Sequence, residues 1–278
     1  MTENTDNNKL TTPIGGAVAL PYDYGADAAT GMDLDMGDLS IPLVSLAQKD
    51  SKILDEDEES YVPGGAPGML FNSAEKRYHE SLLLVPAFRK TSYVEFLPDR
   101  GGFVAEHEVG SPEVRDAKLN AVSKFELYSQ AGNPLVETKS LYAIVLDPET
   151  LEPTGYVIVP FTSSKMARWR DYWTQIDTAR VSKSAPIFAH AVWLTARNER
   201  NKKGDKYHNF VMFPAFDESG ELLPGTADSS ALGAVRTSML SPESTGYLAG
   251  RTLYTAVSEG RARPDHASDI EVDAGGVI

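Results

Sequence analysis

The sequence predicts a mainly β protein with a few helices, an α+β barrel or sandwich whose two ends are acidic arms. Three observations carry this. Short apolar or β-branched runs recur, separated by turn residues at roughly eight to twelve positions. One stretch has clear helical periodicity, with Met166, Trp169, Trp173 and Ile176 at spacings of three and four. Charge is concentrated at the ends: residues 1–62 hold 13 Asp/Glu against 3 Lys/Arg, and residues 265–278 hold 4 acids and no cation. Residues 63–264 therefore hold 23 of each sign.

Residues 1–40 are polar and rich in Asn, Thr, Gly and Asp, with Pro21, Gly25, Gly31 and Gly37 breaking any helix, so a disordered acidic leader is expected there. Ile41–Ala47 is the first segment apolar enough to dock on a core. Asp55–Glu59, five consecutive acids before Pro63-Gly64-Gly65, reads as a solvated loop. Leu82–Phe88 and Tyr93–Leu97 read as two strands around an Arg89-Lys90-Thr91-Ser92 turn, and Phe103–Ala105 as a third. Pro112 with Ser111 before it predicts a helix over Glu113–Ser123. Phe125–Tyr128, Leu141–Leu146 and Tyr156–Phe161 follow as strands.

Thr162, Ser163 and Ser164 are capping residues, so the helix with the tryptophan stripe starts near Lys165. Lys165, Arg168 and Arg170 lie off that stripe. Ile187–Thr195 and Tyr207–Phe213 read as a hairpin with a long polar tip over Arg197–Asp205. From Lys165 to Lys206 there are ten Lys/Arg against four Asp/Glu, a local reversal of sign in a chain of net charge −14. Beyond this core of residues 41–214, residues 215–264 form an extension of loop and helix, with helical segments over Ala231–Leu240 and over Ser244–Glu259, the second interrupted by Gly246 and Gly250. Residues 265–278 are an acidic tail ending in Val277-Ile278.

The absence of cysteine among 278 residues excludes disulfides, thiol catalysis and thiolate metal sites. No apolar run approaches the roughly 18–20 residues of a membrane span, and no secretory signal pattern begins the chain, so a soluble intracellular protein is expected. There is no phosphate-cradling glycine loop, and the five histidines never fall at metal-ligand spacing. The AEHE at Ala105–Glu108 lacks a second histidine and reads as loop. No catalytic constellation emerges; the expectation is a protein that is not an enzyme and needs no cofactor or metal.

What remains is cations interleaved with aromatics. Binding unpaired nucleic acid needs positive groups along the phosphates and flat side chains for the bases, each stack contributing about 1–3 kcal/mol. The candidate contacts are Lys165, Arg168, Arg170, Lys183, Trp193, Arg197, Lys202, Lys203, Lys206 and Tyr207. Alternation places Trp193 with Ile187, Ala189, Ala191 and Thr195 on one face of its strand, a large ring among small residues. Other uses compete: Trp169 and Trp173 are core residues of the helix stripe, a two-faced strand also needs aromatic filling, and lysines keep hairpin tips soluble.

The order of IPLVSLAQKDSK, PGGAPGMLFNSAEK, LLLVPAFRKTSYVEFLPDRGGF, VPFTSSKMARW and WLTARNERNKKGDKYHNFVMFP over residues 41–214 resembles a family of phage-encoded single-stranded DNA-binding proteins. That resemblance implies an OB-fold, a partly open five-stranded antiparallel barrel, and a role in phage DNA replication or recombination in the cytoplasm of the infected host. It also implies a monomer or small homo-oligomer, with no membrane partner. Its residue-level carry-over is Ser163-Ser164-Lys165, Arg168 and Lys203-Gly204-Asp205-Lys206-Tyr207. An acidic tail in such proteins covers the DNA groove or meets replication partners, a role that falls here on Asp269, Glu271, Asp273 and Ile278, although this tail is short and lacks a terminal aromatic. Two other functions fit the same pattern: a viral structural or assembly protein indifferent to DNA, and an annealing protein or recombination mediator forming rings or filaments. A nuclease is a weaker reading, because no metal site can be assembled.

Overall fold

Two long antiparallel strands form the spine of the protein: β5 (Ser81–Phe96) and β8 (Pro134–Leu146), paired from Leu83↔Leu146 to Glu95↔Leu135. The computed structural model describes residues 40–98, 102–121, 123, 126–179, 185–201, 203–225 and 239–264. The expected leader and tail, and most of the Ala231–Leu240 segment, lie outside those residues.

Before the spine come β1 (Ser40–Ile41), β2 (Val44–Leu46), β3 (Leu70–Asn72) and β4 (Arg77–His79), the last three forming a small antiparallel sheet. Between the spine strands lie β6 (Phe103–Glu108), α1 (Pro112–Leu119) and β7 (Leu127–Tyr128). After it come β9 (Pro153–Phe161), α2 (Lys165–Ala179), β10 (Val192–Arg200), β11 (Lys206–Pro214), α3 (Thr245–Ser258) and β12 (Arg263–Pro264), which pairs in parallel with β1. The main sheet runs β11-β10-β5-β8-β9 at one end of the spine, while β6 and β7 flank β5 and β8 at the other.

Both faces of this sheet are buried. One carries Leu82, Leu84, Leu141, Val157, Val159, Phe161, Phe210 and Met212 under α2 and the small sheet. The other carries Leu83, Val85, Tyr142, Ile144, Trp193 and Phe213 under α3. Each fully buried ring or aliphatic side chain contributes about 1.5–3 kcal/mol. A third, smaller cluster joins Tyr93, Leu127 and Leu135 to Val114 and Ala117 of α1.

The fold is thus mainly antiparallel β with three helices, and it is not a closed barrel: among the described residues β9 and β11 exchange no ladder. The two edges nevertheless approach, with the rings of Phe161 and Phe210 centred 5.3 Å apart and β2 and α2 each touching both strands. Trp169 fills the gap, 5.1 Å from Phe161.

Several sequence expectations are corrected. Arg89–Ser92 is no turn; these residues pair with Leu141, Ser140, Lys139 and Thr138 inside β5. The irregularity lies earlier, where the register shifts between Pro86 and Phe88, a bulge that accommodates a proline in a central strand. β8 starts seven residues before the expected Leu141, and Ala105–Glu108 is strand rather than loop. Ile187–Ala189 is a 3-10 turn, so the strand begins at Val192.

Helix starts follow their caps. The Ser111 hydroxyl accepts from the Val114 N–H at 3.3 Å, and the Ser244 hydroxyl from the Tyr247 N–H at 3.4 Å. α1 ends at Leu119, short of the expected Ser123. α3 passes unbroken through Gly246 and Gly250, which face the sheet: a Cβ on Gly250 would stand 2.8 Å from Phe188 Cβ. These glycines permit close packing instead of breaking the helix. No helix among the described residues is long and apolar enough to cross a membrane.

Candidate nucleic-acid interface

The basic stretch folds into two neighbouring pieces, the start of α2 and the β10–β11 hairpin. The hairpin ladder runs from Val192↔Pro214 to Arg200↔Lys206, so the strands reach further out than the sequence predicts. The tip is correspondingly tight. The Asn201 carboxamide oxygen accepts from the Lys203 and Asp205 N–H groups, each at 2.9 Å, and Gly204 takes φ +93°, which glycine adopts without strain.

Glu199 holds the base of the hairpin. Its carboxylate accepts from Arg168 of α2, from the Tyr207 hydroxyl at 2.9 Å and from the Asn209 carboxamide at 3.0 Å, with Arg197 at 3.4 Å. Burial works against ionisation of Glu199, yet the donors Asn209 and Tyr207 and the Arg168 charge hold its carboxyl below the usual range. Burial, and then the Glu199 carboxylate, push the Tyr207 phenol up. Arg168 is also 3.0 Å from Asp171. Three of the expected contact residues, Arg168, Arg197 and Tyr207, are therefore gathered around an acid that charge counting treats only as a subtraction.

The other expected contacts divide. Arg170, Lys203 and Lys206 are exposed, as are Arg197 and Arg200. Lys165 is buried, its ammonium 5.2 Å from the Phe210 ring centre at the mouth of the core. Trp193 is 4% exposed and its indole N–H donates to the Leu223 carbonyl at 2.8 Å, so it offers no face to a base; the sheet is covered on both sides and the ring fills the α3 side. Trp169 is core, while Trp173 is half-buried with the Arg89 guanidinium 4.2 Å above its ring. Lys183, Lys202, Asp269, Glu271, Asp273 and Ile278 lie outside the described residues.

A second polar centre, which the sequence reading missed, lies at the far end of the spine. Glu95 is buried and accepts from Ser129 at 2.7 Å and Asn133 at 2.8 Å, with the His107 ring nitrogen at 2.7 Å. Burial opposes its charge, but these donors outweigh burial and hold its carboxyl low. Nothing in local sequence links four residues spread from 95 to 133. Among the described residues no three histidines or carboxylates gather as a metal-binding set.

A family model described as Pam3 phage gp34-like protein matches residues 11–263. The chain belongs to that family. The expected phage origin follows from membership in the Pam3 phage gp34-like family, whose description names no ligand. No curated protein and no solved structure matches the chain.

Proposed function

We propose that this member of the Pam3 phage gp34-like family binds single-stranded DNA without sequence preference and without catalysing a reaction, in phage DNA replication or recombination. The observation that carries the reading is the connectivity around the hairpin. Strands β5, β8 and β9, then helix α2, then β10 and β11 form the ladder order β11-β10-β5-β8-β9, with the edges β9 and β11 meeting through Phe161 and Phe210. That succession resembles the strand order of an OB-fold opened at one seam, with a helix between its third and fourth strands, and this likeness supports the reading. In such folds the loop between the fourth and fifth strands borders the oligonucleotide groove. Here that loop is the tip carrying Arg200, Lys203 and Lys206.

The contacts assigned are Arg170, Arg197, Lys203 and Lys206 on phosphates, with Arg168 held in reserve by Glu199 and Asp171. Lys183 and Lys202 belong to the same charged stretch. Trp193 and Lys165 take no part. Asp269, Glu271 and Asp273 act as a phosphate mimic that contends for the patch or, with Ile278, recruits phage replication proteins.

Anisotropy with labelled oligo-dT, a duplex of equal length and single-stranded RNA, each at several salt concentrations, tests this. Tight, salt-sensitive dT binding that exceeds duplex binding is expected; indifference to all three at low salt sinks the proposal. One observation favours an assembly role instead: Leu97 and Val104, beside the Phe96↔Phe103 end of the β5–β6 ladder, and Val109, just past its other end, are 49%, 41% and 44% exposed. Large stable oligomers in solution, together with no DNA binding, would select that reading.

A further inference from the structure

Cross-strand partners share a face of the sheet, and on the face that carries α2 the β5–β8 ladder sets Arg89 opposite Leu141, Thr91 opposite Lys139, and Tyr93 opposite Glu137. Leu141 belongs to the core under α2 and Tyr93 to the cluster under α1. Arg89, Thr91 and Lys139 therefore floor the stretch between the two helices. At one wall the Arg89 guanidinium lies 4.2 Å above the Trp173 ring. In the middle the Lys139 ammonium donates to the Thr91 hydroxyl at 3.3 Å and sits 3.4 Å from Glu137. At the other wall the Lys118 ammonium is 4.6 Å from the Tyr93 ring centre.

Two donors beside Arg89 are unused. Among the described residues the Trp173 indole N–H and the Tyr172 hydroxyl are buried and have no hydrogen-bond partner. Tyr172 and Trp173 pack edge to face at 4.8 Å. Of the three tryptophans, Trp169 and Trp193 are buried and Trp173 is half-buried. Two cations beside a half-buried indole are the chemistry that meets a phosphodiester and an unpaired base.

We propose that this stretch between α1 and α2 is a second contact station for a single-stranded polynucleotide, with Arg89 and Lys139 on phosphates and the Trp173 ring against a base. The inference rests on the DNA-binding reading and extends it from the hairpin along α2, whose Arg170 is exposed between the two places. From Arg168 to Trp173 the helix rises about 8 Å, and the ladder continues past Glu199 to Arg200 before the tip turns. A strand that meets both stations falls within a site of about 4–16 nucleotides.

Tryptophan emission during titration with oligo-dT of about 16 nucleotides tests the station, since Trp173 is the ring a base can reach. Wild-type emission is expected to quench, and Trp173→Phe to abolish the quench. The double variant Arg89→Ala, Lys139→Ala is expected to bind roughly tenfold more weakly, with a log affinity against log salt slope shallower by about 1.4. Arg89→Lys with Lys139→Arg is expected to restore both, and the thermal transition of each variant checks that it folds. If dT binds but Trp173→Phe still quenches, or the double alanine variant binds with unchanged affinity and slope, this inference falls and the hairpin reading stands. Absence of any dT binding by wild type overturns both.

Discussion

Glu199 shows how much one side chain sets the character of the hairpin site. It is partly buried, accepts from two neutral donors and pairs with Arg168, so it both fixes the hairpin base against α2 and masks a cation. Glu199→Gln is expected to cost about 1–3 kcal/mol, read as a lower thermal midpoint at neutral pH. With Arg168 left to Asp171, the same variant is expected to bind oligo-dT more tightly, with a salt slope steeper by about 0.7. The pH dependence has a defined sign. Because the folded Glu199 and Glu95 carboxyls both lie below their ordinary value, their stabilisation is present above about pH 4.3 and lost as pH falls through the folded values. Acid unfolding scans of Glu199→Gln and Glu95→Gln should each give a shallower decline below that pH than wild type. Trp193 belongs to the opposite class. Its ring fills the α3 side of the sheet, so Trp193→Ala is expected to lose about 3–5 kcal/mol, while the milder Trp193→Phe should leave dT affinity unchanged.

At the level of elements, α3 is held to the sheet by two glycines that behave differently. A methyl at Gly250 meets Phe188 Cβ at 2.8 Å and Val85 Cγ1 at 3.1 Å, atoms close to the backbone that cannot swing aside. A methyl at Gly246 meets the tips of Leu146 at 3.3 and 3.4 Å. Alanine gains about 1 kcal/mol over glycine in a helix, and overpacking costs about 1–3 kcal/mol. Gly250→Ala is therefore expected to destabilise and Gly246→Ala to stay within about 1 kcal/mol of wild type, a contrast that denaturant midpoints resolve. The same helix shows where sequence reading stops. Glycines at 246 and 250 look like interruptions because their value, closeness to Val85 and, for Gly250, to Phe188, is visible only across 62 or more residues of chain. Arg89–Ser92 looks like a turn because four polar residues follow an apolar run; they are strand because Leu141 and the polar Ser140, Lys139 and Thr138 of β8 pair with them. The hairpin and α2 were legible because alternation, helical stripe and caps are local. Alternation also separated Trp193 from Val192 and Leu194 correctly, but a sheet covered on both faces leaves neither side for a ligand.

For the whole molecule the decisive quantity is where charge sits, since residues 63–264 carry 23 acids and 23 bases and the excess lies in the terminal segments. A neutral body binds a polyanion only if its cations are clustered and its acids are placed elsewhere or paired. In the described hairpin Glu199 is occupied by Arg168 and Asp205 by Asn201, which leaves Arg197, Arg200, Lys203 and Lys206 facing solvent. Replacing Lys203 and Lys206 by alanine should weaken binding evenly across sequences and make the salt slope shallower by about 1.4. The terminal acids then act through competition, a long-range effect that salt screens over about 10 Å at 0.1 M. Deleting residues 265–278 should raise dT affinity most at low salt and little at high salt, with the Lys203/Lys206 double variant gaining least from the deletion. Equal affinity of the full-length and shortened chains at low salt would remove the tail from the binding equilibrium and leave it a role with protein partners alone.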